Sequence, residues 1–104
     1  MGRCKRILEE FSQLIYFFKP SFKRLFKKLQ ALKRDQVLEA IEALKIVLES
    51  KKSIEGLGLK LLSNNIWEIR SSLKDRIIFT FDDEIITFVL VGNHDEVKRY
   101  LKNL

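Results

Sequence analysis

Ile66-Trp67-Glu68-Ile69-Arg70, Arg76-Ile77-Ile78-Phe79-Thr80-Phe81 and Glu84-Ile85-Ile86-Thr87-Phe88-Val89-Leu90-Val91 follow one another with little between them, and their reading decides the fold. Each stretch is five to eight residues long and dominated by β-branched and aromatic side chains, a composition that fits a pleated, half-buried surface. Polar residues around Ser71–Asp75 separate the first two stretches, and the pair Asp82-Asp83 separates the last two. A loop and a tight turn at those places make a three-stranded antiparallel meander. Directly after it, Asn93 followed three residues later by Glu96 has the form of a capping box, and Val97, Tyr100, Leu101 and Leu104 give a short final helix its apolar face.

Upstream, Leu14-Ile15-Tyr16-Phe17-Phe18 is an apolar run stopped by Lys19-Pro20, and its length and composition predict a buried strand. Ser21 reads as the N-cap of a helix whose face is Phe22, Leu25, Phe26, Leu29 and Leu32, with Lys23, Arg24, Lys27, Lys28 and Lys33 on the other faces. A polar break at Lys33–Asp35 leads to a second helix beginning near Asp35, with Val37, Ala40, Ile41, Leu44 and Leu48 as its buried stripe. The two form an antiparallel helical hairpin. Glycines 56 and 58 inside the apolar segment 54–62 predict a loop followed by a short strand or an irregular edge, and Ser63-Asn64-Asn65 predicts a turn. Residues 1–12 carry Ile7, Leu8 and Phe11 in a helical pattern and read as an extension. The expected fold is α+β. A small antiparallel sheet, made of the N-terminal strand and the meander, packs against an α-helical hairpin, with a short C-terminal helix.

With 104 residues, positions 1–104 form a single domain with one modest core, so any functional site lies on that core's surface. Twenty Lys and Arg against 14 Asp and Glu give a net charge of +6, which favours a polyanionic partner, either nucleic acid or an acidic protein. The one cysteine, Cys4, has no internal partner, and no Cys/His spacing forms a zinc site, so a reducing cytoplasm is the expected compartment. Ile7-Leu8 is followed at once by Glu9-Glu10, so no signal-peptide core develops, and no apolar run is long enough to span a membrane. Gly56-Leu57-Gly58 lacks the third glycine and the preceding strand of a phosphate loop, Asp82-Asp83 is a turn and not an acid–base dyad, and no cofactor is implied.

Trp67-Glu68-Ile69-Arg70 on one strand, Arg76-Ile77-Ile78-Phe79 opening the next, and Val91-Gly92-Asn93-His94 closing the third resemble the RelE/ParE toxin superfamily. The helical hairpin after Phe18-Lys19-Pro20-Ser21-Phe22-Lys23 is similar to that family's N-terminal half, so the resemblance covers about residues 14 to 102. It implies a toxin of a type II toxin–antitoxin pair, with a cognate antitoxin protein as partner. The RelE-like branch, which the residues favour, cleaves mRNA on the ribosome without metal. The ParE-like branch inhibits DNA gyrase, and a degenerate member would keep only the fold and its antitoxin.

Metal-free RNA cleavage requires proton transfer at the attacking 2′-hydroxyl and the leaving 5′-oxygen, and stabilisation of the phosphate between them. The resemblance implies Arg76 as the phosphate-binding arginine and His94 as the acid–base group, and an imidazole titrates near neutral pH. Arg76 paired with an acid such as Glu84 across the hairpin, and His94 as a mere turn residue, are the structural alternatives. Lys60, Arg70, Lys74, Lys98 and Arg99 are candidates for a basic rim holding RNA phosphates. Tyr100 is a candidate for base stacking, although its place on the stripe of Val97 and Leu104 fits core packing better. Asp95 and Glu96 depart from the basic residue that some members of the family carry here, and as first-turn residues they favour the helix dipole. The nuclease reading requires Arg76 and His94 to converge on one surface.

Overall fold

Residues 14–50 and 56–104 are described by a computed structural model. The chain runs β1 (Ile15–Phe18), α1 (Pro20–Lys28), α2 (Ala31–Ser50), β2 (Lys60–Ser63), β3 (Ile66–Arg70), β4 (Asp75–Asp82), β5 (Ile85–Asn93) and α3 (His94–Lys102). The strands form one open sheet in the order β1-β5-β4-β3-β2. The meander is antiparallel as its short connections require, with β2 added beyond β3. β1 joins β5 in parallel, Ile15 opposite Ile85 and Phe18 opposite Phe88, because everything from α1 to β4 lies between the two in sequence and serves as the crossover. The fold class is therefore the expected α+β, with a mostly antiparallel sheet.

Alternation along the strands feeds two separate cores. Ile69, Ile77, Phe79, Ile86 and Phe88 point to the side covered by the helices, where they meet Phe22 of α1 and Val37, Ile41 and Leu44 of α2. An aromatic cluster closes this layer: the Phe88 ring centroid lies 4.9 Å from Phe18, 5.9 Å from Phe22 and 5.9 Å from Phe79. Ile66 and Ile78 point the other way and are covered by Val97, Tyr100 and Leu101 of α3. Three layers result: helical pair, sheet and C-terminal helix.

Several boundaries differ from the sequence expectation, each for a local reason. β1 is an edge strand buried on one face only, not a buried strand: Tyr16 and Phe18 pack on the main core, while Ile15 and Phe17 on the opposite face are 57% and 53% exposed. Helix α1 starts at Pro20, whose fixed φ and missing N–H suit the first helical position, and Lys19 is its N-cap without a side-chain cap. The Ser21 hydroxyl instead donates to the Val89 carbonyl at 2.9 Å, beside the bulge between Ile78 and Phe79. The break between helices falls at Leu29-Gln30, not Lys33–Asp35. Leu29 is extended there, its carbonyl accepts from Arg34, and Leu32 is 71% exposed rather than on the buried stripe. The β4–β5 turn is centred on Asp83-Glu84, one residue later than expected. Both residues have positive φ (48° and 67°), the backbone of a two-residue turn whose twist matches the flanking strands. The helical pattern over residues 1–12 lies outside the described residues.

The Tyr16 hydroxyl ties β1 to the end of α2 by donating to Glu49 Oε2 at 2.6 Å, while Lys45 Nζ sits 5.2 Å from the ring centroid. Burial, then the bond to Glu49 and the charges of Glu49 and Glu42, hold the phenol well above its ordinary value. Because the folded state binds this proton more tightly, the contribution is complete below about pH 10 and is lost as the pH rises beyond it and the unfolded chain's tyrosine ionises. Denaturant unfolding across that range is expected to show a steeper loss of stability in the parent chain than in Tyr16→Phe, and equal slopes would contradict this. Phe88→Ala, which empties the centre of the aromatic cluster, is expected to cost about 3–5 kcal/mol. That is a large part of the 5–15 kcal/mol available to a domain of this kind, and is measurable by the same unfolding curves.

Candidate nucleic-acid interface

Ile77 and Ile78 belong to opposite cores, so Arg76 shares the face of Ile78, the face on which α3 packs. The register lines up Arg70, Arg76 and Gly92 in one row across β3, β4 and β5, and Lys60, Glu68, Ile78 and Leu90 in the next. Two arginines directly opposite each other repel. Their side chains diverge: Arg70 lies over Gly58, where an added Cβ would stand 3.0 Å from its Cγ and Nε, and Arg76 turns to Glu68 with Nε 3.7 Å from Oε2. Arg76 and Glu68 are only 18% and 14% exposed, so solvent screens this pair less than a surface ion pair. Arg76 Nη1 reaches the Leu73 and Asp75 carbonyls at 3.4 Å each, and Nη2 takes no part in these contacts.

The loop before β4 is closed on itself, which fixes where Arg76 begins. Ser71 N–H donates to the Asp75 carbonyl at 3.1 Å, Ser72 Oγ donates to Asp75 Oδ2 at 3.0 Å, and Asp75 N–H donates to Ser72 Oγ at 3.1 Å. Asp75 points to the helical side, where Lys33 Nζ is 3.1 Å away.

At the other end of the row, β5 passes directly into α3 through the expected capping box. Glu96 N–H donates to Asn93 Oδ1 and Asn93 N–H donates to Glu96 Oε1, both at 2.9 Å. Gly92 makes this possible, since a Cβ there would meet Glu96 Oε1 at 3.0 Å and its Cβ at 3.1 Å. His94 is the first residue of α3 and is exposed, two positions beyond the residue paired with Arg76. Arg76 and His94 thus lie at the same end of the sheet, while the Arg76 side chain leans toward Glu68 on β3, on the other side of β4 from β5.

The basic candidates divide into groups. Lys60 and Arg70 share the sheet face with Arg76. Lys98 and Arg99 line a shallow hollow on α3 with Asp95 and Lys102. Lys74 lines a different hollow with Gln30, Lys33 and Gln36, on the helical side, and is not brought to Arg76. Tyr100 is half-buried against the core of Ile66, Ile78 and Val97, where its ring is engaged in packing. The acid beside Arg76 is Glu68 and not Glu84, which stands at the far end of the hairpin. Glu68 and Lys102 were not singled out from the sequence. For Glu68 a signal existed, because in a strand it shares parity, hence face, with Arg70.

No protein-family model matches the chain, and no curated protein does. Solved structures do. The chain is similar to the RelB–RelE antitoxin–toxin complex from Methanococcus jannaschii, with a TM-score of 0.62, 20% identity, and coverage of 81% of this chain and 96% of that one. The archaeal RelE–RelB complex from Pyrococcus horikoshii matches with a TM-score of 0.62 and 13% identity over 78% of this chain and 94% of that one. The YoeB–YefM complex from Staphylococcus aureus matches with a TM-score of 0.56 and 21% identity over 78% and 97%. The chain has the RelE-type toxin fold.

Gly58 has φ +67° as well as a side chain against its α-carbon, so Gly58→Ala both strains the backbone and pushes Arg70 off its bed. The expected outcome is a loss of about 1–2 kcal/mol in urea unfolding, and a variant as stable as the parent would contradict this packing.

Proposed function

We propose that this protein is the toxin of a type II toxin–antitoxin pair and acts in the cytoplasm as a ribosome-dependent mRNA endoribonuclease. The observation that carries the reading is the row Arg70–Arg76–Gly92, with His94 two residues past its end at the start of α3. A guanidinium, always charged and planar, and an exposed imidazole are thereby carried at the same end of the sheet. In this reading a phosphate of ribosome-bound mRNA lies on Arg76, which stabilises the charge that grows as the 2′-oxygen attacks. His94 transfers a proton at the reacting ribose–phosphate, as the leaving 5′-oxygen requires. Lys60 and Arg70 on the sheet, and Lys98 and Arg99 on α3, hold flanking phosphates without reading sequence.

The antitoxin in this account is a chain with an extended or helical acidic segment that lies over the same basic surface. The similar structure from Methanococcus jannaschii is an antitoxin–toxin complex, which supports such a partner.

Expression of the protein alone is expected to arrest growth, with cleaved mRNA on ribosomes, and His94→Ala or Arg76→Ala to slow cleavage by about 100-fold or more and relieve the arrest. Undiminished cleavage by the double variant would remove both residues from the mechanism. Intact mRNA with lost supercoiling would move the target to gyrase, and normal growth with intact mRNA would leave antitoxin binding alone.

A further inference from the structure

Cleavage through a 2′-hydroxyl requires one group to take the hydroxyl proton and another to give a proton to the leaving oxygen. The chain has a single histidine, and arginine does not exchange protons at working pH, so His94 and Arg76 leave one of the two transfers without an owner. A carboxylate stands beside the Arg76 guanidinium. Glu68 Oε2 is 3.7 Å from Arg76 Nε, on the face that also carries Arg70 and Lys60, and its side chain is 14% exposed. In attack geometry the 2′-oxygen lies about 3–3.5 Å from phosphorus, so a nucleotide whose phosphate rests on Arg76 presents its 2′-hydroxyl within reach of a group packed against that guanidinium.

Other acids near this end of the sheet are committed elsewhere. Glu96 is held in the capping box by two bonds of 2.9 Å, Asp75 points to the opposite face and pairs with Lys33, and Asp95 lies in the hollow on the outside of α3. Nor does core packing account for Glu68, since its cross-strand neighbours are Lys60 and Ile78 and its carboxylate lies against the arginine itself.

We propose that Glu68 is the catalytic base, a reading that rests on the nuclease function proposed above. Its carboxylate takes the proton as the 2′ O–H bond breaks. The freed electron pair forms the bond from the 2′-oxygen to phosphorus, the bond from phosphorus to the 5′-oxygen breaks, and the His94 imidazolium gives its proton to that oxygen. The products are a 2′,3′-cyclic phosphate and a 5′-hydroxyl, with Glu68 neutral and His94 neutral. Exchange with solvent returns both to the starting state. Arg76 holds the carboxylate in place before RNA arrives and shares its remaining donors with the phosphate afterwards.

The test is single-turnover cleavage of mRNA on programmed ribosomes by the parent protein, Glu68→Gln and Glu68→Asp across a range of pH, with ribosome binding and thermal unfolding measured on each. Glu68→Gln keeps the shape and is expected to cleave about 100-fold or more slowly with ribosome binding intact, and to lose the rise in rate that the parent shows as its base deprotonates. Glu68→Asp is expected to fall between the two and to keep the rise. Parental rates and an unchanged pH profile in Glu68→Gln would overturn the assignment. So would a folded Glu68→Gln that is slow but keeps the parental profile, because that outcome makes Glu68 a support for Arg76 only. If the parent does not cleave mRNA while remaining folded, the nuclease reading itself falls and the assignment falls with it.

Discussion

The register of β5 against β4 is the constraint on which the rest of the molecule depends. β5 pairs on both sides, with β4 along its whole length and with β1 in parallel at its start. It delivers Phe88 to the aromatic cluster and Val91 to the main core. Its bulge region leaves the Val89 carbonyl to Ser21 of α1, and its last residue caps α3. Because successive side chains alternate, a shift of one residue would turn Arg76 from the α3 face to the helical face and bury it among Val37, Ile41 and Leu44. Packing of the two cores therefore fixes the placement of Arg76 and, through Gly92 and Asn93, that of His94.

The charged surface is arranged by the same rows. Two arginines opposite each other would be unfavourable on their own, and the sheet accommodates them by leaning one over a glycine and giving the other a carboxylate. Glu68 thereby meets a structural need in the free protein. It also places an acid beside the cation that the proposed chemistry gives to a phosphate, so one ion pair serves both to keep Arg76 oriented and to supply a proton acceptor next to it.

Much of this was legible in the residues. The meander, the capping box at Asn93 and Glu96, and with them the placing of Arg76 and His94 at the same end of the sheet follow from periodicity and short connections, which are local signals. What was misread depended on non-local partners. Leu14–Phe18 has the composition of a buried strand, and only the tertiary pairing makes β1 an edge. Ser21 is a good cap by type, but Pro20 already begins the helix and the hydroxyl finds a carbonyl 68 residues away in sequence. Lys74 belongs to the helical side because the closed loop at Ser72 and Asp75 turns it there, which no count of basic residues reveals. Glu68 shared parity with Arg70 and could have been found. Which cation it would meet depended on the register between β3 and β4.

The most direct measurement is a structure of the protein on a ribosome carrying mRNA whose 2′-hydroxyls are methylated, so that the attacking group is blocked. The account requires the scissile phosphate to rest on the Arg76 guanidinium, the 2′-oxygen to face Glu68 and the 5′-oxygen to face His94. RNA lying across the helical pair, or passing α3 without touching Arg76, would contradict it.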